Sequence, residues 1–189
     1  MSVTTIPTAG ITDSAVTIAK ASGFGKIGQM VTTTFTGTES TTVNLASANS
    51  YTNSSVAATI TPTATSSKIL VLSTINAGSS DNSNGAHIGR FTMNIGGTIT
   101  AEFRGDAAGS RKRNSSGRGN ESQGSATILT NGFNFVLSPN TTSATTITYQ
   151  FACRGSGSGT VYINRTGTDT DGNEDGRTAS SITLIEVLA

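Results

Sequence analysis

From residue 27 onward, hydrophobic and polar residues alternate along most of the chain with a period of two, which is typical of half-buried β-strands. Residues 87–95, HIGRFTMNI, are the clearest case. They place Phe91, Met93 and Ile95 on one face of a strand and polar side chains on the other. The alternation therefore predicts a body of strands that each bury one face.

Three further segments refine this prediction. In residues 27–35 the alternation puts Ile27, Val31 and Phe35 on one face of a first strand. Residues 68–76, KILVLSTIN, are apolar on both faces. Such a run is typical of a central strand that is covered on both sides. The final segment, SSITLIEVL at 180–188, alternates again and is expected to close the domain.

Glycine-rich pairs and runs mark the turns. Gly96–Gly97 predicts a tight hairpin between residues 87–95 and the following TITAEFR. The run GSGSG at 155–159 is expected to be a flexible hairpin loop between TTITYQFACR and TVYINR. Asn131–Gly132 is either a tight turn or a bulge, and the sequence does not decide between them.

Roughly eight to ten short strands follow from these patterns, without an amphipathic helix of useful length in the body. Sequences of this type fold as two packed β-layers or as barrels. We therefore expect an all-β head at 28–189, an antiparallel β-sandwich of the jelly-roll kind, in which two sheets limit the number of exposed edges.

Residues 1–27 differ from the body and predict an N-terminal arm and hinge. The arm is extended at first, and Asp13 can then cap a short helix over 14–20. A helix this short is marginal in water on its own, so it needs a partner surface. That surface is either the head of the same chain or other copies of the arm. Glycines 23, 25 and 28 supply the bend into the body.

The arm carries a motif. Residues 11–20, ITDSAVTIAK, resemble the "ITDxAVTxAK" repeats in the stalks of predicted tail fibres from marine and cyanobacterial bacteriophages. The body segments TPTATSSKILVL, FRGDAAGSRKR, TVYINRTGTDTDG and SSITLIEV look like the small β-domains that cap such fibres.

This resemblance implies a homotrimeric virion protein, a short fibre or tip that projects from the particle and binds the host cell surface, with glycan as the expected receptor. The arm would contact other virion proteins. The residues that would anchor it are Ile11, Asp13, Ala15, Val16, Ile18 and Ala19. Because long fibres carry many stalk repeats and this chain has one, the alternative is a capsid decoration (cement) protein or head fibre.

Composition narrows the classes of partner. Only 12% of residues are charged and the formal net charge is +1, which argues against a nucleic-acid-binding protein. The N-terminal MSVTTIPTAG lacks the basic and apolar regions of a secretory signal. No run approaches the ~20 apolar residues of a membrane span. We therefore expect synthesis in the host cytoplasm, location in the virion and no membrane insertion.

A basic cluster lies in FRGDAAGSRKRNSSGRG, without interleaved aromatic residues. Three interpretations remain open: a surface loop balanced by nearby acids, a contact with acidic polysaccharide or lipopolysaccharide phosphates, or a subunit boundary facing an acidic loop. Arginine suits the second because it binds such groups through two parallel hydrogen bonds. The residues that would contact the host surface are Arg111, Lys112, Arg113 and Arg118.

The acidic loop is the one weak candidate for a metal site. It alternates side-chain oxygens as the start of a calcium loop does, at Asp169, Asp171, Asn173 and Asp175. The sixth position is Glu174 rather than glycine and the twelfth is Ser180 rather than glutamate. We therefore expect a solvated loop, in which Arg165 and Arg177 pair locally with the carboxylates.

Catalytic chemistry has little support in the sequence. The single histidine, His87, has no acid or cysteine near it in sequence, and the single cysteine, Cys153, alternates with apolar residues as a buried one would. A zinc site and a cysteine–histidine pair are therefore poorly provided for. We expect a protein without enzymatic activity or cofactor.

Overall fold

The computed structural model describes residues 26–43, 50–80, 87–117, 127–153, 159–173 and 175–188. Within these ranges the chain forms β-strands and no helix. The strands are β1 (Lys26–Phe35), β2 (Glu39–Thr41), β3 (Thr52–Ile60), β4 (Lys68–Ser79), β5 (His87–Ile95), β6 (Thr98–Phe103), β7 (Ser116–Gly117), β8 (Ile128–Gly132), β9 (Phe135–Leu137), β10 (Thr145–Cys153), β11 (Val161–Ile163) and β12 (Ser180–Leu188).

The strands form two sheets, and all their pairings are antiparallel. The first sheet has the order β1-β12-β4-β11-β2, with β8 and β9 also paired to β4. The second sheet has the order β3-β10-β5-β6, with β7 also paired to β5. The two sheets bury their inner faces against each other, which confirms the predicted antiparallel β-sandwich.

The winding of the long strands is that of a jelly roll. The pairs are nested along the sequence: β1 with β12, β3 with β10, β4 with β8 and β9, and β5 with β6. Successive pairs alternate between the first and the second sheet. A chain folded back on itself and then rolled into two sheets gives this arrangement.

Strands β8 and β9 behave as one interrupted strand. Thr74 lies opposite Gly132 and Val71 lies opposite Phe135, so the register against β4 is unchanged across the gap. Asn131–Gly132 is therefore neither a tight turn nor a bulge. By contrast, Gly96–Gly97 forms the predicted hairpin, with φ of 61° and 87°.

The core between the sheets is apolar and aromatic. On β10 the inward positions Ile147, Tyr149 and Phe151 are all 0% exposed. The ring of Phe91 packs against the rings of Tyr149, Phe133 and Phe135, with centroids 5.0–5.8 Å apart. Aromatic rings at these distances contribute beyond their buried area.

The predicted position of Ile27 was wrong. The register of β1 against β12 shifts between Ile27 and Met30, so Gly28 and Gln29 of β1 together lie opposite the single residue Glu186 of β12. An extra residue reverses the face on which the preceding side chains lie. Ile27 consequently lies on the outer face and is 70% exposed, whereas Val31 and Phe35 pack against the core as predicted.

Strand β4 is central, as predicted, but it is not covered on both sides along its whole length. Near its end, the chain at 164–167 crosses the outer face so closely that a Cβ on Gly78 would lie 2.4 Å from the carbonyl oxygen of Arg165. Nearer its start, Leu72 is 37% exposed. Half of this outer face is therefore open among the described residues.

The predicted hairpin around GSGSG was also wrong. Strand β10 belongs to the second sheet, whereas β11 pairs with β2 and β4 in the first sheet. The intervening segment therefore connects the two sheets rather than adjacent strands. Local glycine content gives no information on which sheet the next strand joins.

One carboxylate is buried at the end of the sandwich where the chain enters. Glu186 points inward from β12 and is 0% exposed. Its oxygens accept hydrogen bonds from Gln29 Nε2 (2.8 Å), from the backbone N of Thr63 (2.7 Å) and from the Thr63 hydroxyl (2.8 Å). Glu186 thus connects β12, the bulge of β1 and the β3–β4 connection.

These donors keep Glu186 ionised. Burial alone would raise the pKa of the carboxyl group, but the hydrogen bonds from Gln29 and Thr63 outweigh it and hold the pKa at about 2, against an ordinary value of 4.5. Because the folded-state pKa is the lower one, the resulting stabilisation is present above about pH 4.5. It is lost as the pH falls from 4.5 towards 2.

Replacing Glu186 by glutamine should therefore destabilise the protein at neutral pH by about 1–3 kcal/mol, because an amide group would face donors that need an acceptor. The free energy of unfolding of the variant should also depend less on pH between 4.5 and 2 than that of the native chain. Urea unfolding across this pH range measures both effects. Asp106→Asn, at an exposed position, is the matched control; equal effects from the two variants would contradict the role given to Glu186.

Candidate functional site

The jelly-roll winding gives the sandwich two different ends. At one end, which we call the terminal end, lie Lys26, Leu188 and three connections, which are 61–67, 96–97 and 138–144. The connections at the other end, which we call the long-connection end, are 36–51, 80–86, 118–127 and 154–179. This follows from the antiparallel direction of successive strands. Elaborated connections on a rigid scaffold are where binding residues most often lie.

The basic cluster leaves the second sheet as a loop at 104–114, which we call the basic loop. It interrupts the line of β6 and β7, because Phe103 and Gly117 both lie beside β5. The Gly105 backbone N donates to the Asn114 carbonyl oxygen at 3.0 Å, so the loop closes at its base. The basic loop is therefore an ordered projection from the edge of the second sheet.

Its arginines and lysine have different roles. Arg113 is half-buried, and its Nε donates to the Gly105 carbonyl oxygen at 2.6 Å, so this side chain holds the loop closed. Arg111 and Lys112 are exposed near a turn in which the Arg111 backbone N donates to the Ala108 carbonyl oxygen at 3.2 Å. Of the four residues predicted to contact the host surface, Arg111 and Lys112 are thus exposed, Arg113 is structural and Arg118 lies outside the described residues.

The base of the basic loop rests on a charged network that the sequence did not reveal. Glu102 accepts from Arg90 at 2.6 Å and from Arg104 at 2.8 Å. The guanidinium of Arg90 also stacks over the ring of Tyr51, 4.2 Å from its centroid, and Tyr51 donates to Asn114 Oδ1 at 2.5 Å. Arg90 Nε also donates to Gln150 Oε1 at 2.8 Å. The alternation places Arg90 outward, but Glu102, Tyr51 and Gln150 come from three other segments, so only the pairing of the strands brings them together.

The acidic loop joins β11 and β12, and its carboxylates Asp169 and Asp175 are bound within the chain. Asp175 accepts from the Thr168 hydroxyl at 2.6 Å, from the backbone N of Thr170 at 2.9 Å and from the Thr170 hydroxyl. Asp169 accepts from Arg177 at 2.7 and 2.9 Å, and lies 3.8 Å from Arg165. The predicted local pairing of both arginines is confirmed.

Hydrogen bonds within the acidic loop stabilise the ionised form of Asp175. Hydrogen bonds from the hydroxyls of Thr168 and Thr170, and from the Thr170 backbone, lower the pKa of Asp175 to about 2 from an ordinary 3.8. Asp171 and Asn173 are exposed. Over the described ranges, no three histidine, cysteine, aspartate or glutamate residues come together as a metal-binding group. The predicted metal candidate is thus an acidic loop closed by its own threonines and arginines.

The single histidine is buried beneath the long-connection end. His87 Nε2 lies 2.6 Å from the Tyr149 hydroxyl, which lies 3.1 Å from the Ser116 hydroxyl. Gly89 is required beside this group, since a Cβ there would lie 1.9 Å from the Tyr149 hydroxyl. Burial lowers the pKa of His87 to about 4, so the imidazole is neutral at neutral pH. With exposures of 6% for His87 and 0% for Tyr149, the group is packed into the core.

Of the remaining sequence predictions, one concerns a residue in the core and the others concern residues outside the described ranges. Cys153 is 0% exposed and burial raises the pKa of its thiol, which confirms a buried cysteine. The predicted anchoring residues, which all lie within residues 11–19, fall outside the described residues. Among the residues that the structure describes, no helix is long and apolar enough to cross a membrane.

Comparison with known proteins gives a distant likeness in fold. No family model and no curated protein matches the chain. A chain from the structure of infectious bursal virus derived T=1 particles shares 14% identity over 84% of this chain and 38% of that chain, with a TM-score of 0.42. A chain of infectious bursal disease virus Gx strain shares 14% identity over 86% of this chain and 43% of that one, with a TM-score of 0.41. This chain thus spans about two fifths of their length, and a likeness at this level says nothing about function.

The closed geometry of the acidic loop leads to a prediction about calcium. Added Ca²⁺ at about 1 mM should leave the melting temperature unchanged, because a cation would have to displace donors from Asp175 and Arg177 from Asp169. Thermal unfolding with calcium and with chelator tests this. Asp175→Asn is the matched variant, and a calcium-dependent rise of several degrees that this variant abolishes would contradict the prediction.

Proposed function

We propose that the chain is a non-enzymatic structural protein of a bacteriophage virion. Its jelly-roll head is held at the terminal end through residues 1–27, its other end faces outward, and the basic loop at the edge of the second sheet binds an anionic glycan of the host surface. The proposal is based on the difference between the two ends of the sandwich. The terminal end holds short connections and the entry of the N-terminal segment, and the opposite end holds the long connections.

The resemblance of residues 11–20 to phage stalk repeats supplies the class of protein. The position of Lys26 adds support, since residues 1–25 enter the head at the terminal end. A head attached there presents its long-connection end to the surroundings. We further propose a homotrimer of such heads, in which other virion proteins contact the arm.

The basic loop is the part of the surface best suited to an anionic glycan. Arg111 and Lys112 are exposed on it, and the hydrogen bond from Arg113 to Gly105 fixes the loop before any ligand binds. A loop that is already ordered loses less conformational entropy when it binds a ligand. Guanidinium and ammonium groups bind carboxylate and phosphate groups through charge-assisted hydrogen bonds. The proposed ligands are therefore acidic polysaccharides or the phosphates of lipopolysaccharide.

Replacing Arg111 and Lys112 together by serine should weaken binding to such glycans about tenfold or more, since charged hydrogen bonds are each about 1.5–3 kcal/mol. The measurement is the Kd of the full chain on an array of bacterial lipopolysaccharides and acidic polysaccharides, at two salt concentrations. The fold should be unaffected, because neither side chain is buried.

Lys68→Ser is the matched control, because Lys68 is exposed at the terminal end. It should leave the Kd unchanged. Equal loss in both variants would indicate a general effect of net charge, and unchanged binding in the Arg111/Lys112 variant would remove the basic loop from the proposal.

The location of the protein on the particle tests the virion role itself. Cryo-electron microscopy of purified virions should show trimeric density at the tail or its collar, with the terminal end towards the particle. Density between capsomers or at capsid three-folds would instead support a decoration protein. Absence of the protein from the particle would refute both functions.

A further inference from the structure

An apolar surface crosses the outer face of the first sheet. Met30 on β1 lies opposite Ile185 on β12, Ile185 lies opposite Leu70 on β4, and Leu70 lies opposite Val136 on β9. Four apolar side chains therefore form one row across four adjacent strands. The residues that flank this row on the same face are Ile27, Leu72 and Val187, and we call the seven together the apolar face.

The apolar face is open to solvent in the described part of the chain. Met30 is 66% exposed, Val136 is 58% exposed and Ile27 is 70% exposed. A patch of this kind exposes on the order of a few hundred Å² of apolar surface, and patches of that size usually mark an interaction site. The outer face nearer the long-connection end is, by contrast, covered by the chain at 164–167.

We propose that residues 11–20 of the same chain bind to the apolar face. The first reason is position. Ile27 belongs to the apolar face and immediately follows Lys26, so residues 1–25 enter the structure beside it. The proposal concerns the free chain, and it does not depend on the function proposed above.

The second reason is that the dimensions match. Four strands about 4.8 Å apart give a row about 14 Å long. The helix predicted over 14–20 is about 10 Å long, and residues 11–13 before it add up to about 10 Å of extended chain, so the segment is long enough to cross the row. The sequence places Ala15, Ile18 and Ala19 at the i, i+3, i+4 spacing that forms one apolar stripe on this helix. The segment at 21–25 can span up to about 17 Å and contains two glycines that permit the chain to turn back.

The third reason is the size of the surface. A stable contact with a second copy of the head needs about 800 Å² from each partner, which is more than the apolar face offers. A ten-residue segment needs less. Because it is tethered by a short linker, its effective concentration is about millimolar, so a contact that would be too weak between separate molecules is sufficient within one chain.

Hydrogen–deuterium exchange of the full chain tests the proposal. The amides of residues 11–20 should exchange at least about tenfold more slowly than their intrinsic rates. The double variant Met30→Asp/Val136→Asp should remove this protection without unfolding the head, because both side chains are mostly exposed. Ile18→Asp should remove it as well, because Ile18 lies on the apolar stripe of the segment and the change leaves the sheet unaltered.

Ile99→Asp is the matched control, since Ile99 is an apolar residue 45% exposed on the second sheet. It should leave the protection of residues 11–20 unchanged. Lack of protection in the native chain, or protection that survives both Met30→Asp/Val136→Asp and Ile18→Asp, would overturn the proposal. Protection that increases with protein concentration, together with a larger mass in light scattering, would assign the apolar face to a second copy and overturn binding within one chain.

Discussion

The nested pairing of strands from opposite ends of the chain is the constraint on which the rest of the structure depends. The hairpin of β5 and β6 is closed by two glycines, whereas β1 and β12 join residues from the two ends of the described chain. Each outer pair encloses the inner ones, so the last pairing is the least local. When β12 inserts between β1 and β4, it completes the first sheet and brings Glu186 to its donors. Such non-local pairings are slow to form because loop closure precedes the contacts that stabilise it.

The same winding separates the molecule into two ends. At the terminal end the connections are short, as in the hairpin at Gly96–Gly97. The β3–β4 connection at this end is held by hydrogen bonds from Thr63 to the carboxylate of Glu186. At the other end, Arg177 balances Asp169 within the connection 154–179, and at the edge of the second sheet Arg90 and Arg104 balance Glu102 at the base of the basic loop. These ion pairs shape the loops that contain them. Arg111 and Lys112 are exposed on the basic loop, whose base is closed by hydrogen bonds of Gly105 with Asn114 and Arg113.

The period of two in the sequence was sufficient to predict the fold class and the inward faces of strands such as β5. It failed where the face of a residue depends on a distant partner. The bulge in β1 exposes Ile27 because β12 supplies one residue fewer. Likewise, the period of two places Glu186 on the inward face, but it does not reveal that Gln29 and Thr63 supply the donors that keep it ionised there. The roles of the arginines show the same limit. Arg90 pairs with Glu102 and Arg113 closes the basic loop, but only the pairing of the strands and the closure of the loop determine these partners.

A low content of charge makes the apolar face stand out from the rest of the surface. Elsewhere on the outer faces, threonine hydroxyls bond across strands, as in Thr32 with Thr183 and Thr59 with Thr146. These neutral pairs satisfy polar groups without charge, and they leave a surface that water solvates. The row from Met30 to Val136 has no such pairs, although it shares a sheet with Thr32 and Thr183. An apolar row within a hydroxyl-rich surface is better explained by a bound segment than by the general composition of the chain.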